Sequence, residues 1–133
     1  MSISSVYRKT SRCMLLSCSQ SITKFELLDT FKRLLEEIES GNTVNGLFID
    51  LTNVIEFFVT TSDMRDVAAA TTQMSSELPG LRVVIVAPTE LMFGMMRMWD
   101  GFSGNCLWQR KVLRQRVEAE NWLSAQLGLS SIY

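Results

Sequence analysis

Two short apolar runs constrain the fold of this chain more than any other feature. Leu47–Leu51 reads Leu-Phe-Ile-Asp-Leu and Arg82–Ala87 reads Arg-Val-Val-Ile-Val-Ala, so neither run alternates between apolar and polar residues. A strand without alternation is buried on both faces, which requires a sheet covered by helices, and such sheets are mostly parallel. The two runs therefore predict an α/β fold.

Four amphipathic segments surround these runs and predict the helices. Thr23-Lys-Phe-Glu26 has the spacing of a capping box, so the first helix is expected to begin there and to end at Gly41. Pro79-Gly80 ends a second segment and Pro88 starts a third, which runs to about Phe102. The apolar faces of the second and last helices are expected to carry Met64, Val67, Ala68, Thr71, Met74 and Leu78, and Ala119, Trp122, Leu123 and Leu127.

The remaining strands complete the predicted order. Ser4–Thr10 and Arg12–Cys18 are expected to form a hairpin, and Leu107–Leu113 is expected to form the last strand. The stretch from Thr52 to Thr61 is expected to be irregular. We therefore predict one domain, residues 1–133, of order ββαβαβαβα, with a mixed, mostly parallel sheet of about five strands and about four helices.

Composition excludes several functions. The chain has 13 Lys and Arg against 14 Asp and Glu and no His, so it offers no overall charge for nucleic acid and lacks the commonest general base and metal ligand. No stretch reaches the roughly 20 apolar residues that span a bilayer. Cys13, Cys18 and Cys106 fit reduced thiols in a cytoplasmic protein. We expect no enzyme activity, no metal and no cofactor.

Five motifs, in their order along the chain, point to one family. They are Leu47-Phe-Ile-Asp-Leu-Thr-Asn-Val54, Thr60-Thr-Ser-Asp63, Val83-Val-Ile-Val-Ala-Pro88, Phe93-Gly94 and Ala119-Glu-Asn-Trp-Leu123. In this order they resemble the STAS/SpoIIAA-like group of small bacterial α/β domains, and more closely an uncharacterised branch of it. That resemblance implies a non-enzymatic regulatory or protein-interaction module.

The resemblance also draws attention to Thr60, Thr61 and Ser62. In anti-sigma antagonists of the group, a Ser at the corresponding helix start is phosphorylated, which switches partner binding off. Here Val59 precedes the hydroxyl residues and Asp63 follows them, where the family pattern has Asp and Gly. Two interpretations remain, a phosphate acceptor at a helix N-terminus or a helix cap, and we expect Thr61 or Ser62 to be the cap.

Two acids lie near the expected carboxyl edge of the sheet, where α/β folds place their ligands. Asp50 is the one charged residue of its apolar run, and Glu56 follows it among apolar residues. A buried Asp50 needs partners, and we expect it to accept hydrogen bonds from the amides of a turn over residues 52–54.

The third helix has an unusually wide apolar face, wider than the roughly 100° stripe of a surface helix. Three interpretations are open: a homodimer interface, the wall of a pocket for a small apolar ligand, or core. For the interface, Met92 and Met96 are expected to face outward, and Gly94 suggests a close approach of another backbone or a ligand. The residues concerned are Met92, Phe93, Met95, Met96 and Trp99.

A basic cluster follows this helix, made of Arg110, Lys111, Arg114 and Arg116. It has the composition of a weak phosphate-binding patch. Glu118 and Glu120 follow at once, however, which favours a solvated surface with ion pairs inside the last helix.

Overall fold

The computed structural model describes residues 3–133 and has the predicted ββαβαβαβα order, with five strands and four helices. Only strands adjacent in sequence are paired, because the sheet order is β1-β2-β3-β4-β5. The elements are β1 (Ile3–Arg8), β2 (Cys13–Thr23), α1 (Lys24–Glu39), β3 (Gly46–Phe58), α2 (Thr61–Ser75), β4 (Arg82–Val86), α3 (Glu90–Phe102), β5 (Gln109–Leu113) and α4 (Arg116–Leu127).

The sheet separates two layers of helices. The predicted hairpin of β1 and β2 is antiparallel and the other strand pairs are parallel. Right-handed crossovers between successive neighbours place α1, α2 and α3 on one face, where Leu47, Ile49 and Ile85 pack against them. Phe48 and Val84 point to the other face, which α4 covers.

Aromatic stacking and a hydrogen bond join the three helices of the first layer. The ring of Phe31, from α1, stacks against Trp99 of α3 and against Trp108, with 5.9 Å between ring centroids in each pair. The indole N–H of Trp99 donates to the hydroxyl of Thr71, in α2, at 3.1 Å. This contact satisfies a fully buried indole and fixes α3 against α2. None of the helices in residues 3–133 combines the length and apolar character needed to cross a membrane.

The expectation of an irregular stretch from Thr52 to Thr61 is wrong, because β3 continues to Phe58. β4 pairs with β3 only as far as Asp50, whereas β2 follows β3 to the pair Thr23 and Phe58. The two strands therefore extend past the sheet as a ribbon, residues 19–23 with 53–58. This part of β3 is exposed on one face and contains polar residues, so it lacks the continuous apolar pattern that predicts a buried strand.

Other boundaries differ by a few residues from the predicted ones. The side chain of Thr23 caps α1 by accepting from the amide of Phe25 at 3.2 Å, and Glu26 accepts from the Thr23 hydroxyl. The predicted capping box is therefore present only in part. α3 is capped by Thr89 rather than begun by Pro88.

Candidate functional site

Thr60 caps α2, so the expectation that Thr61 or Ser62 is the cap is wrong. The Thr60 hydroxyl accepts from the amide of Asp63 at 3.1 Å, and the Asp63 carboxylate accepts from the amide of Thr60 at 3.0 Å. The bond from this backbone amide is the main cause of a lowered Asp63 pKa. Thr61 and Ser62 are exposed, and the Thr61 hydroxyl lies 3.7 Å from the sulfur of Met98.

Bulges in β3 determine which side chains of the ribbon face solvent. The pairing with β2 shifts twice, between Ser17 and Ser19 and between Gln20 and Ser21, and each shift adds one residue on the β3 side. Because each extra residue resets the alternation of side chains, Val54 is buried while Ile55 is 82% exposed.

Three large apolar side chains are exposed around the end of the ribbon. Ile55 is 82%, Phe58 59% and Phe25 74% exposed. Phe25 lies in the first turn of α1, two residues after Thr23, which is the strand partner of Phe58. We call Phe25, Ile55 and Phe58 the apolar tip.

The two predicted acids do not form one site. Glu56 is exposed on the ribbon and accepts from the Ser21 hydroxyl at 3.5 Å. Asp50 is only 4% exposed and faces the α4 side of the sheet. At about 3.3 Å per strand residue, the two Cα atoms are on the order of 20 Å apart. A shared carboxylate site at the sheet edge is therefore ruled out.

Asp50 has three contacts. Its Oδ1 accepts from the amide of Thr52 at 2.9 Å and from the Thr52 hydroxyl. The hydrogen bond from the Thr52 amide agrees with the expectation, although Thr52 lies in a bulged strand and not in a turn. Its Oδ2 lies 3.4 Å from Nη1 of Arg116, the first residue of α4. No sequence motif connects these two residues.

Asp50 forms one side of a cleft on the open part of the sheet. α4 packs on β3, β4 and β5, and the cleft of about 230 Å³ lies between its N-terminus and strands β1 and β2. Strand register places the lining in two rows of directly opposed residues. The polar row is Ser4, Ser17 and Asp50, and the apolar row is Val6, Leu15 and Phe48.

Arg116 is held in place at the mouth of this cleft. Its Nη2 donates to the Tyr133 hydroxyl at 3.1 Å, and its Nε lies 3.4 Å from Oε2 of Glu120. The Tyr133 hydroxyl in turn donates to Glu120. The bond to Tyr133 is the main cause of a raised Arg116 pKa, and burial is the main cause of a raised Tyr133 pKa. The guanidinium of Arg8 lies 5.9 Å from the centre of the Tyr133 ring.

The methionine-rich face of α3 belongs to the core. Met92 and Met96 are 4% and 0% exposed, so the expectation that they face outward is wrong. Met95 and Trp99 are buried with them, because α2 and β5 together cover a wider arc of this helix than a single sheet face does. Phe93 is half-buried, with the guanidinium groups of Arg97 and Arg114 at 5.6 and 5.9 Å from its ring centre.

The close contact expected at Gly94 is absent within residues 3–133. A Cβ atom built at Gly94 would meet no atom within 4 Å, so nothing approaches the helix closely there. The expected approach of a backbone or ligand is therefore wrong for this chain on its own.

The basic cluster is divided among separate partners. Arg110 donates to Asp100 at 2.8 Å, and Arg114 donates to the carbonyl of Pro88 at 2.9 Å. Arg116 faces Asp50 and Glu120 instead. Because these arginines bind different partners, the contacts favour a surface with separate ion pairs over a single phosphate-binding patch.

Comparison with known proteins supports the fold assignment. No family model and no curated protein matches the sequence. Among solved structures, the chain is similar to an uncharacterised protein of the DUF3478 family with a SpoIIAA-like fold from Shewanella loihica PV-4. The alignment covers 91% of this chain and 93% of that chain, with a TM-score of 0.57 and 17% identity. The chain therefore has a SpoIIAA-like fold, as its motifs predicted.

Proposed function

We propose that this domain is a non-enzymatic interaction module that docks on another protein through the apolar tip, Phe25, Ile55 and Phe58. The SpoIIAA-like fold is consistent with a regulatory or interaction-type domain. The observation that carries the proposal is the bulged ribbon, which turns Ile55 outward to 82% exposure.

Exposure of large apolar side chains to water is unfavourable in free energy, and burial against a partner removes this unfavourable contribution. Fully burying an Ile or Phe side chain is worth about 1.5–3 kcal/mol, so three such residues supply a large part of a specific contact. Bulges are features that a fold retains beside functional sites, and aromatic residues are frequent anchors at interfaces. The ribbon buries Ile22 and Val54 in the main core on one face, so Ile55 and Phe58 remain exposed although the strands that carry them are fixed.

The charges beside the tip indicate the chemistry of the partner surface. Glu56 is exposed next to Ile55 and makes no ion pair within residues 3–133. Lys24, beside Phe25, is already paired with Asp66 at 3.1 Å. We therefore propose that the partner offers an apolar groove with Lys or Arg at its rim, since such a rim complements the free carboxylate.

Regulation of this contact is the second part of the proposal. Thr61 and Ser62 are exposed at the N-terminus of α2, three and four residues after Phe58. A phosphate there adds a charge of about −1.5 to −2, which strengthens the attraction to the proposed basic rim. Asp63 in the same turn opposes the added charge, so the effect is smaller than at an acid-free helix start.

A reducing cytoplasm is the proposed compartment. Cys13 and Cys18 are buried as free thiols and Cys106 is a half-buried free thiol. Burial raises the pKa of Cys18 to about 12, so this thiol stays protonated and unreactive at neutral pH.

Site-specific photo-crosslinking in the cells that make the protein tests the proposal. A benzoylphenylalanine at position 55 should give one adduct of discrete mass with a different protein. The matched control is position 117, where Val117 is 65% exposed on α4 and outside the tip. No discrete adduct at position 55, or the same adduct at both positions, contradicts the proposal. An adduct of twice the chain mass identifies a second copy as the partner and also contradicts it.

A further inference from the structure

The cleft beside Asp50 lies on the sheet face opposite α1–α3 and contains no residue of the apolar tip. The cleft and the apolar tip are therefore separate surfaces, and a ligand of the cleft is not part of the proposed function. The cleft combines a buried carboxylate, two guanidinium groups and an apolar floor within about 230 Å³. This volume is below the roughly 300–1,000 Å³ of pockets for drug-sized ligands, so the matching ligand is small.

The carboxylate of Asp50 has unused acceptor capacity. Both hydrogen bonds that it accepts, from the amide and the hydroxyl of Thr52, end on Oδ1. Oδ2 has only the 3.4 Å contact with Arg116, although its side chain is 6% exposed. Because a carboxylate accepts about four hydrogen bonds and is costly to bury without them, Oδ2 suits a charged donor from a ligand.

The guanidinium of Arg116 has unused donors beside this oxygen. A guanidinium carries five N–H groups, and the contacts with Asp50, Glu120 and Tyr133 engage three of its nitrogens once each. Two N–H groups are therefore free, and the side chain is 57% exposed. Arg8 provides a second guanidinium in the lining of the cleft.

The floor sets the remaining chemistry. Val6, Leu15 and Phe48 are directly opposed on β1, β2 and β3, and Val6 is 52% exposed. This apolar row runs beside the polar row that ends at Asp50. The ligand that matches both rows has a charged end and a short aliphatic side chain.

We propose that the cleft binds a small zwitterion, an α-amino acid with an aliphatic side chain. Its ammonium group binds Oδ2 of Asp50, its carboxylate binds the free N–H groups of Arg116, and its side chain lies on the apolar row. The charges of Asp50, the ammonium group, the ligand carboxylate and Arg116 then alternate in sign. A simple anion would face Asp50, a simple cation would face Arg8 and Arg116, and an uncharged ligand would leave Oδ2 without a partner.

Isothermal titration of the native protein with L-valine, L-leucine, L-isoleucine and L-methionine tests this proposal. At least one should bind saturably with one site per chain. Two analogues of the amino acid that binds most tightly then separate the two charged contacts, one without the carboxylate and one without the ammonium group; for leucine they are 3-methylbutylamine and 4-methylpentanoate. Each analogue should bind at least about tenfold more weakly than the parent amino acid. Absence of saturable binding by all four amino acids at millimolar concentration overturns the proposal, as does equal binding of either analogue.

Two variants assign the binding to the cleft. Arg116→Gln should weaken the tightest amino acid at least about tenfold, because it removes the partner of the carboxylate. Arg97→Gln is the matched control, since Arg97 is an exposed guanidinium beside Phe93 and outside this cleft, and it should leave the affinity unchanged. Unchanged affinity in Arg116→Gln overturns the proposal. If that variant fails to fold, Asp50→Asn replaces it with the same expectation, because it removes the charge that pairs with the ammonium group, and the analogue comparison needs no variant.

Discussion

Nη1 of Arg116 lies 3.4 Å from Oδ2 of Asp50, although the Arg116 side chain is 57% exposed and that of Asp50 is 6% exposed. The contact joins the start of α4 to the middle of β3. It forms because Asp50 points to the α4 face of the sheet, whereas its neighbours Ile49 and Leu51 point into the main core. A buried carboxylate therefore reaches a cation at the surface instead of an apolar partner.

The cap of α2 is testable by paired substitutions. Thr60→Ala should lower the free energy of unfolding by about 1 kcal/mol, because it removes the acceptor for the Asp63 amide. Thr61→Ala should change it by less than about 0.5 kcal/mol, since Thr61 is exposed and is not the cap. Urea denaturation measures both. A larger loss for Thr61→Ala than for Thr60→Ala would contradict the capping geometry.

Two glycines should respond in opposite directions to alanine. Gly94→Ala should stabilise the protein by about 0.8–1 kcal/mol, because the position is helical and its Cβ would meet no atom within 4 Å. Gly46→Ala should destabilise it by about 1–3 kcal/mol, because its Cβ would lie 2.9 Å from the sulfur of Cys13. Thermal unfolding compares the two. A loss of stability in Gly94→Ala would indicate a close contact at α3 that the monomer lacks.

The core role of the α3 methionines is tested at two neighbouring positions. Met96→Glu should unfold the domain, because Met96 is fully buried and truncation alone costs about 2–5 kcal/mol. Met98→Glu should leave the fold intact, because Met98 is 41% exposed. Circular dichroism and sedimentation on the same samples record folding and association state. A folded monomeric Met96→Glu variant would restore the interface interpretation.

Thiol reactivity should follow burial. In native protein at pH 8, a thiol reagent should modify Cys106 and leave Cys18 largely unmodified, because burial raises the pKa of Cys18 to about 12 and removes the reactive thiolate. Burial also raises the pKa of Cys13. Full denaturation without reductant should release three thiols. A count of one would reveal a disulfide and contradict the proposed reducing compartment.

The element order was predictable because runs such as Leu47–Leu51 and helices with one apolar face leave few alternatives. The ribbon was not, because Asn53 and Glu56 interrupt the apolar pattern and two bulges change its period. The burial of the methionine-rich face was not predictable, because the sequence does not show how much of a helix its neighbours cover.

The cleft was not predictable from the sequence, because residues far apart along the chain form it. The register of β2 and β3 places Ser17 opposite Asp50, and Arg116 at the start of α4 lies beside Asp50. The sequence drew attention to Asp50 as a lone acid in an apolar run, which is the one local signal of this site. It also assigned Arg116 to a basic cluster whose members have different partners.

The affinity of the crosslinked partner for variants of the apolar tip shows whether the tip is the docking surface. Once the adduct at position 55 has identified the partner, its binding is measured to Ile55→Ser, Phe58→Ser and Val117→Ser, three exposed apolar positions of which only the first two belong to the tip. Docking through the tip predicts unchanged thermal stability in all three, a loss of affinity of at least about tenfold in the two tip variants, and none in Val117→Ser. Equal affinity of the tip variants and Val117→Ser would contradict it.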